Sequence, residues 1–350
     1  MARPRVVMAA VIVVLAAMTG AVAAWEPKPA PSAQNPARPF AFGLWGDLPY
    51  ARSGDEAKIP ALIADMNADR TLAFSAHDGD IKDGSSPCTD ATFTEAIDRF
   101  DRLRAPAVYV PGDNEWTDCH RTTDGGYNNL ERLDHLRRVM FARTDSFGAR
   151  TMELEHQGRP TEAYSENTRW VMGGAVFVGL NVPGSNNNKV NSDAECTAKS
   201  VRTPADCAAD NAEYAARSRA DIDWVRRSFA RAKATGSRAV MVVMQADPGF
   251  DLPETSVDER ADPAYDGYTD LLDALVDETK AFSGQVVLVH GDTHFFKLDK
   301  PLLNQANLVS NFTRLETFGS PNVDWVRVQV DQHSRNFFRF EPMVVAANHP

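Results

Sequence analysis

Positive charge and cysteine are both scarce in this sequence of 350 residues, and each shortage argues against a class of protein. Lysine and arginine total 37 against 48 aspartates and glutamates, which gives a formal net charge of -11. Such a chain repels nucleic-acid phosphates and gains nothing from an anionic bilayer, so a nucleic-acid partner is not expected. The four cysteines form no Cys-x-x-Cys pair, which argues against a zinc knuckle.

Long uncharged apolar runs are also missing, except at the N-terminus. Residues 1–24 place two arginines before an apolar segment that ends in small residues, which is the pattern of a signal peptide. An uncleaved anchor is the alternative, because residues 6–24 are just long enough to span a bilayer. Residues 25–39 are proline-rich and predict an extended tether. We therefore expect a secreted or periplasmic protein, without membrane contact unless the leader is uncleaved.

The even number of cysteines agrees with export, because disulfide bonds persist in oxidising compartments. Cys196 and Cys207 enclose a short polar segment and are expected to pair with each other. Cys88 and Cys119 lie in two separate predicted loops.

Short apolar runs alternate with segments of helical spacing over most of the chain. Runs of four to seven apolar residues between helices are typical of buried parallel strands in βαβ units. Residues 324–330 and 336–340 instead alternate between apolar and polar side chains, as half-exposed antiparallel strands do. No internal repeat or long linker interrupts residues 40–345. The pattern predicts one α/β domain over these residues.

Acidic residues follow several of the predicted buried strands. Asp47, Asp80, Asp113 and the pair Asp292/His294 each come within a few residues of a strand end. Because the carboxyl ends of strands in an open α/β sheet share one edge, these groups are expected to converge. Carboxylates packed together repel one another, and a divalent metal would supply the missing positive charge. One Gly-Asp alone would indicate only a turn or a helix cap.

These residues give the chain a resemblance to the calcineurin-like metallophosphoesterase superfamily over roughly residues 40–330. That family carries, in order, Asp-x-His, Gly-Asp-x-x-Asp/Asn, Gly-Asn-His-Asp/Glu, a histidine that ends a strand, and Gly-His-x-His. Residues 79–83 (Gly-Asp-Ile-Lys-Asp) retain the second block intact. The other blocks differ, because the family's residues are replaced by Pro49, Asp113, Asn114, Gln245 and Asp292.

The resemblance implies a two-sheet α/β/β/α sandwich, in a single domain, with a centre of two divalent ions. One ion would be bound by Asp47, Asp80 and His294, and the other by Asp80, Asp113, Gln245 and Asp292. The replacements favour oxygen over nitrogen, so Mg²⁺, Mn²⁺ or Ca²⁺ is expected rather than Zn²⁺, with iron left open.

The implied activity is hydrolysis of a small phosphate mono- or diester by a monomeric, secreted enzyme. Asn114 stands where the family has its acid histidine, and an amide cannot transfer a proton to a leaving group. His120 and His290 are the candidates to replace that acid, although each is also a reasonable structural histidine. The alternative function is a weak or inactive metal-holding domain that binds a phosphorylated ligand or partner.

The family's strand order also places the loops that carry Cys88 and Cys119 at one sheet edge. A disulfide between them would tie together two loops that bear predicted ligands. The asparagine-rich residues 181–191 are expected to be irregular, and to form either a rim of the site or an ordinary surface loop.

Overall fold

Two sheets face each other across a shared apolar layer in the computed structural model, which describes residues 39–250, 262–303 and 308–349. The predicted leader and residues 25–38 of the predicted tether lie outside these ranges. The first sheet has the order β12-β11-β1-β2-β3, with β1 Phe40–Trp45, β2 Leu72–His77, β3 Ala107–Tyr109, β11 Trp325–Val330 and β12 Phe338–Met343. Its strands β1, β2 and β3 are parallel, whereas β11 and β12 are antiparallel additions.

The second sheet has seven strands in the order β4-β5-β6-β7-β8-β10-β9. Its central strands β6, β7, β8 and β10 are parallel, and β4, β5 and β9 are antiparallel additions at the edges. The strand bounds are β4 Glu155–His156, β5 Thr168–Met172, β6 Ala175–Gly179, β7 Ala239–Val243, β8 Gln285–His290, β9 Lys297–Asp299 and β10 Phe312–Glu316. Strands β5 and β6 form an antiparallel hairpin.

Helices cover the outer face of each sheet. They are α1 Ile59–Ala68, α2 Asp90–Phe100 and α3 Asn129–Met140 on the first sheet, and α6 Pro204–Thr235 and α7 Thr269–Lys280 on the second. The short segments α4 Gly184–Asn187 and α5 Asp193–Thr197 lie in the connection between β6 and α6. Short 3-10 segments lie at Ala51–Ser53, Asp55–Ala57, Thr122–Asp124, Asp266–Tyr268 and Ala346–Asn348. Helix α6 begins where Thr203 and Asp206 form a reciprocal capping box, with Pro204 in the first turn. No helix in the described ranges is long and apolar enough to cross a membrane.

Three apolar layers result from this arrangement. Phe42 and Phe74 of the first sheet stack at 4.7 Å and meet Phe177 of the second sheet at 5.3 and 5.1 Å. A second layer lies between the first sheet and helices α1, α2 and α3, and a third between the second sheet and helices α6 and α7. The order helix, sheet, sheet, helix confirms the predicted α/β/β/α sandwich.

Both predicted disulfides are present, and each joins two buried cysteines. Cys88 and Cys119 are bonded with a Cα–Cα distance of 5.8 Å, and Cys196 and Cys207 with 5.9 Å. The first bond lies beneath Asn114, because the Cys88 sulfur is 3.3 Å from the Asn114 carbonyl oxygen. It therefore ties the loop after β2 to the loop after β3, as expected.

The asparagine-rich segment is held down by a fully buried arginine on helix α6. The Arg217 guanidinium donates to the Asn181 carbonyl at 2.8 Å and to the Asn187 side-chain oxygen at 2.6 Å. It also donates to Glu213 one turn earlier, at 2.7 Å. Asn187 and its neighbours adopt left-handed backbone conformations, which asparagine tolerates better than most residues.

Replacing this arginine should therefore be costly. Arg217→Met leaves the Asn181 carbonyl and the Glu213 carboxylate without their buried partner, which we expect to lower the free energy of unfolding by about 3–5 kcal/mol. Arg227→Met is the matched control on the same helix, because Arg227 is exposed, and its pair with Asp223 and its contact with the Trp224 ring should be worth less than about 1 kcal/mol. Urea unfolding of both variants measures this, and equal losses would contradict the account.

Candidate metal centre

The six predicted metal ligands lie together where strands of both sheets end. They come two to four residues after β1, β2, β3, β7 and β8 and comprise Asp47, Asp80, Asp113, Gln245, Asp292 and His294. Four of them have left-handed backbone conformations, with φ of 50° at Asp47, 57° at Asp80, 75° at Asp292 and 64° at His294. Left-handed backbone is uncommon outside glycine and costs conformational energy, and it concentrates at functional sites.

Asp47, Asp80 and His294 surround the hydroxyl of Tyr50. The Tyr50 hydroxyl donates to Asp80 Oδ2 at 2.8 Å and lies 3.2 Å from His294 Nε2. Asp47 Oδ1 is 3.4 Å from the same nitrogen. His294 Nδ1 contacts the Ser320 carbonyl at 2.8 Å, which directs Nε2 at the carboxylates. A carbonyl on one ring nitrogen is the arrangement that metal-binding histidines use, so this group of residues fits a cation.

Asp113, Gln245 and Asp292 form the other half of the cluster. Gln245 Nε2 donates to Asp113 Oδ1 at 3.0 Å and to Asp292 Oδ1 at 3.3 Å. The Gly184 N–H donates to Gln245 Oε1 at 2.5 Å and thereby sets the orientation of the amide. Gln245 consequently presents hydrogen-bond donors to the carboxylates here. To ligate a cation through oxygen, the amide must turn and give up the Gly184 bond, so this half is less prepared than the first.

The cluster has more negative charge than its surroundings neutralise. Burial and the nearby carboxylates of Asp113, Glu115 and Asp47 raise the pKa of Asp80 well above its usual range. Burial also opposes protonation of His294, but its hydrogen bond and charge interaction with Asp47 prevail and raise its pKa to about 9. The histidine thus takes up a proton where a metal cation would otherwise provide positive charge. A cluster of oxygen donors whose negative charge is not fully neutralised suits a divalent ion.

A layer of buried hydrogen bonds fixes the loops around the centre. Asn114 donates its backbone N–H to Asp80 Oδ1 at 3.1 Å and its side-chain amide to Asp80 Oδ2 at 2.5 Å. Glu115 accepts from the Ile81 N–H at 2.7 Å and from the Tyr109 hydroxyl at 3.1 Å. Glu115 therefore links the loop after β2 to the end of β3 and orients the loop that carries Asn114.

Neither of the two histidines proposed as replacement acids is hydrogen-bonded to any of the six ligands in the described part of the chain. His120 is buried, and burial together with Arg202 and Arg121 lowers its pKa to about 3, so the ring is neutral near pH 7. His290 ends β8, on the side of the strand that carries Val286 and Leu288 and faces the helices. These placements argue against either histidine as the proton donor.

Several residues of the site were not predicted from the sequence. Tyr50 follows the first motif by three residues, and that proximity was the available signal. Ser185 touches Asp113 Oδ2 at 2.9 Å and Asp118 Oδ1 at 2.8 Å, and Arg121 pairs with Asp118 at 2.5 Å. Their contacts depend on the path of the segment after β6, so no local pattern identified them. Ser185 places the asparagine-rich segment at the rim of the site.

A cavity of about 830 Å³ opens beside the centre. Asp292 and Asp247 lie on its inner wall, and basic side chains are distributed around it: Arg52, Arg121, Lys189, Lys199 and Arg202. A volume of this order accommodates a small organic molecule.

Comparison with known proteins supports the fold. No protein-family model matches the sequence, and no curated protein matches it. Among solved structures, PhoD is similar with a TM-score of 0.56 at 12% identity, over 90% of this chain and 68% of PhoD. Purple acid phosphatase PPD1 from yellow lupin gives 0.49 at 9% identity, over 91% of this chain and 53% of that one. Calcineurin-like phosphoesterase YfkN from Bacillus subtilis gives 0.37 at 8%, over 89% and 92%.

Of these three similarities, that to PhoD is strong enough to establish a fold. Together with the two-sheet topology, it confirms that this chain has a fold of the same kind as PhoD, the two-sheet α/β/β/α sandwich expected from the sequence.

Metal binding should stabilise the protein through Asp80. Stripping the protein with a chelator and adding Mn²⁺ at about 100 times its dissociation constant should raise the free energy of unfolding by about 2.7 kcal/mol, because the ion binds the folded state. Asp80→Ala should abolish this gain, whereas Asp98→Ala, on the exposed face of α2, should retain it. Thermal unfolding with and without Mn²⁺ measures the effect, and a full gain in Asp80→Ala would refute the role given to Asp80.

Proposed function

We propose that this protein is an exported, metal-dependent phosphoesterase that hydrolyses a small phosphate mono- or diester as a monomer. The observation that carries the proposal is the convergence of Asp47, Asp80, Asp113 and Asp292 with His294 beside an open cavity. The phosphoesterase fold supports the reaction class. The two disulfides support export, and the leader pattern predicts it.

Two sets of residues would hold the ions. Asp47, Asp80 and His294 would bind one, and Asp80, Asp113, Asp292 and a rotated Gln245 the other. When bound, divalent ions of the Mg²⁺, Mn²⁺ or Ca²⁺ class would polarise the phosphoryl group and activate water as the nucleophile. Asp80 is the shared member, and its two oxygens are held in fixed directions by the Asn114 backbone and side chain.

Tyr50 is the best-placed proton donor for the leaving group. Its hydroxyl lies among Asp80, Asn114 and His294, and the Asn114 amide donates to it at 3.0 Å. A phenol can both donate a hydrogen bond and transfer a proton, whereas the Asn114 amide can only donate. Tyr50 therefore takes the position for which His120 and His290 were the candidates in the sequence.

Arg52 and Arg121 would hold the phosphate group from the cavity side. Arg121 is fixed by its ion pair with Asp118 and donates to the Ser185 hydroxyl at 3.2 Å, so it reaches the edge of the centre. Arg52 is exposed in the 3-10 segment after β1, and its backbone N–H donates to Asp83 Oδ2 at 3.3 Å. Guanidinium groups bind phosphate oxygens with two hydrogen bonds, which suits both residues to substrate binding.

A second function, binding of a phosphorylated ligand without turnover, is favoured by one observation. The Asn114 amide is committed to Asp80 and Tyr50 and transfers no proton, so the site lacks the family's histidine acid. Turnover of an aryl phosphate and a bis-aryl phosphate by metal-loaded protein separates the two functions. Hydrolysis of either ester supports the enzyme. Tight phosphate binding with hydrolysis of neither ester supports the binding domain.

Substitutions at Tyr50 and Asn114 should change the rate in opposite directions. Tyr50→Phe removes the donor and should lower kcat for an alkyl monoester by about 10²–10⁴-fold, with a smaller loss for an aryl ester whose leaving group needs less protonation. Asn114→His adds a second donor and should raise the alkyl monoester rate. Steady-state kinetics on matched alkyl and aryl substrates measure both effects.

Tyr164→Phe is the control for loss of a phenol, because the Tyr164 ring packs near Arg137 and away from the centre. It should leave both rates unchanged. Equal losses on alkyl and aryl esters in Tyr50→Phe would show that the hydroxyl only positions Asp80. An unchanged rate in that variant would remove Tyr50 from the mechanism.

A further inference from the structure

A second group of possible ligands lies at the ends of three neighbouring strands of the second sheet. Asp247 follows β7, His290 ends β8 and Glu316 ends β10, and His290 and Glu316 are directly paired across the two parallel strands. One ligand atom from each residue lies within 4.8 Å of the others. None of the three belongs to the ligand set given above, and His290 and Glu316 are buried.

The buried imidazole of His290 has one ring nitrogen without a partner in the described part of the chain. Its Nδ1 lies 3.0 Å from the Gly291 carbonyl oxygen, which can only accept, so Nδ1 donates there and Nε2 is the nitrogen available to a ligand. The residue is fully buried, and Nε2 has no hydrogen-bond partner among the described residues. Asp247 and Glu316 offer carboxylate oxygens nearby, and one oxygen of each already accepts from a backbone N–H, of Gly249 and of Phe295. A fully buried nitrogen that has no partner and lies beside two carboxylates is satisfied by a cation.

The basic residue closest along the strand does not fill this role. Arg314, two positions before Glu316 on the same face of β10, directs its Nε to Asp299 Oδ1 at 2.9 Å. Its guanidinium is therefore engaged at the outer edge of the sheet, with β9. Arg314 thus forms no direct ion pair with Asp247 or Glu316 in the described part of the chain.

We propose that Asp247, His290 and Glu316 form a separate binding site for a divalent transition-metal cation of the Zn²⁺ class. One imidazole nitrogen with two carboxylates is a mixed donor set of the kind that zinc accepts, in contrast to the oxygen-rich central cluster. Bonds of about 2.0–2.2 Å would draw the three side chains slightly together. Asp247 lines the cavity and is only partly buried, which gives an ion access from solvent.

This site would brace the loop that carries two of the central ligands. Glu316 Oε1 accepts from the Phe295 N–H at 2.9 Å and from the Thr293 hydroxyl, and these residues flank His294. The Asp247 N–H donates to Asp292 Oδ2 at 3.1 Å. A carboxylate has two oxygens, so Glu316 can bind the cation and hold the loop together. An ion here would restrict the positions of Asp292 and His294.

The test is zinc stoichiometry in the full-length protein, measured by mass spectrometry of metal after chelator stripping, zinc loading and gel filtration. Asp80→Ala, which removes the central shared ligand, should retain one zinc. Adding Glu316→Gln or Asp247→Asn to that background should remove this zinc and weaken binding by more than about 10-fold. Glu56→Gln, at an exposed position, is the matched control and should change nothing.

The outcomes separate this site from the proposed central centre. Loss of zinc with Glu316→Gln or Asp247→Asn supports the site. If Asp80→Ala by itself has no effect on metal content, that second result counts against the central centre alone. Retained zinc in both variants, or no bound zinc in Asp80→Ala, overturns the proposal. Asp247→Asn keeps the test decisive if Glu316→Gln misfolds, because Asp247 is only partly buried and circular dichroism reports whether each variant folds.

Discussion

The close packing of like charges at the carboxyl edges of the two sheets is the constraint on which the site depends. Asp47 and Asp80 are almost fully buried, and Asp113 and Asp292 lie within reach of the same Gln245 amide. Burial and the neighbouring carboxylates raise the pKa of Asp80 and Asp292 well above the usual range, and such packing opposes folding unless positive charge is supplied. Protonation of His294 supplies positive charge while no ion is bound, and a divalent cation would replace that proton when it binds.

The fold keeps these groups together at a conformational cost. The left-handed backbone at Asp47, Asp80 and Asp292 turns each side chain back toward the centre immediately after a buried strand. Gly112 and Gly291 allow the loops to approach closely, because a Cβ atom at either position would collide with the carboxylates of Asp80 or Asp47. The disulfide beneath Asn114 and the buried Arg217 hold the surrounding segments. Stability from these distant contacts compensates for a strained, charge-rich site.

The sequence predicted the features that depend on local patterns. The apolar runs predicted the buried strands. The acidic residues that follow these strands were predicted to converge, because the carboxyl ends of parallel strands lie at one edge of a sheet. These residues are Asp47, Asp80, Asp113 and Asp292. Cys88 and Cys119 could be paired once the strand order was inferred by resemblance. Helix α3, at residues 129–140, was missed because its polar and charged residues obscure its apolar stripe.

What could not be predicted depends on side-chain direction across the fold. Gln245 was expected to offer an oxygen, but the Gly184 N–H, 61 residues away in sequence, takes that oxygen. Tertiary packing likewise places Tyr50 among three residues that are distant in the sequence. It also places His290 on the face of its sheet that is opposite the central layer. Such contacts have no signature at short range in the sequence.

Anomalous diffraction from crystals of the protein grown with Mn²⁺ tests the central claim most directly. The account predicts an anomalous peak within bonding distance of Asp47, Asp80 and His294, with the second position, at Asp113 and Asp292, filled more weakly unless the Gln245 amide has turned. Crystals of manganese-saturated protein that show no anomalous peak among these residues, with the carboxylates still hydrogen-bonded to Tyr50 and Gln245, would contradict it.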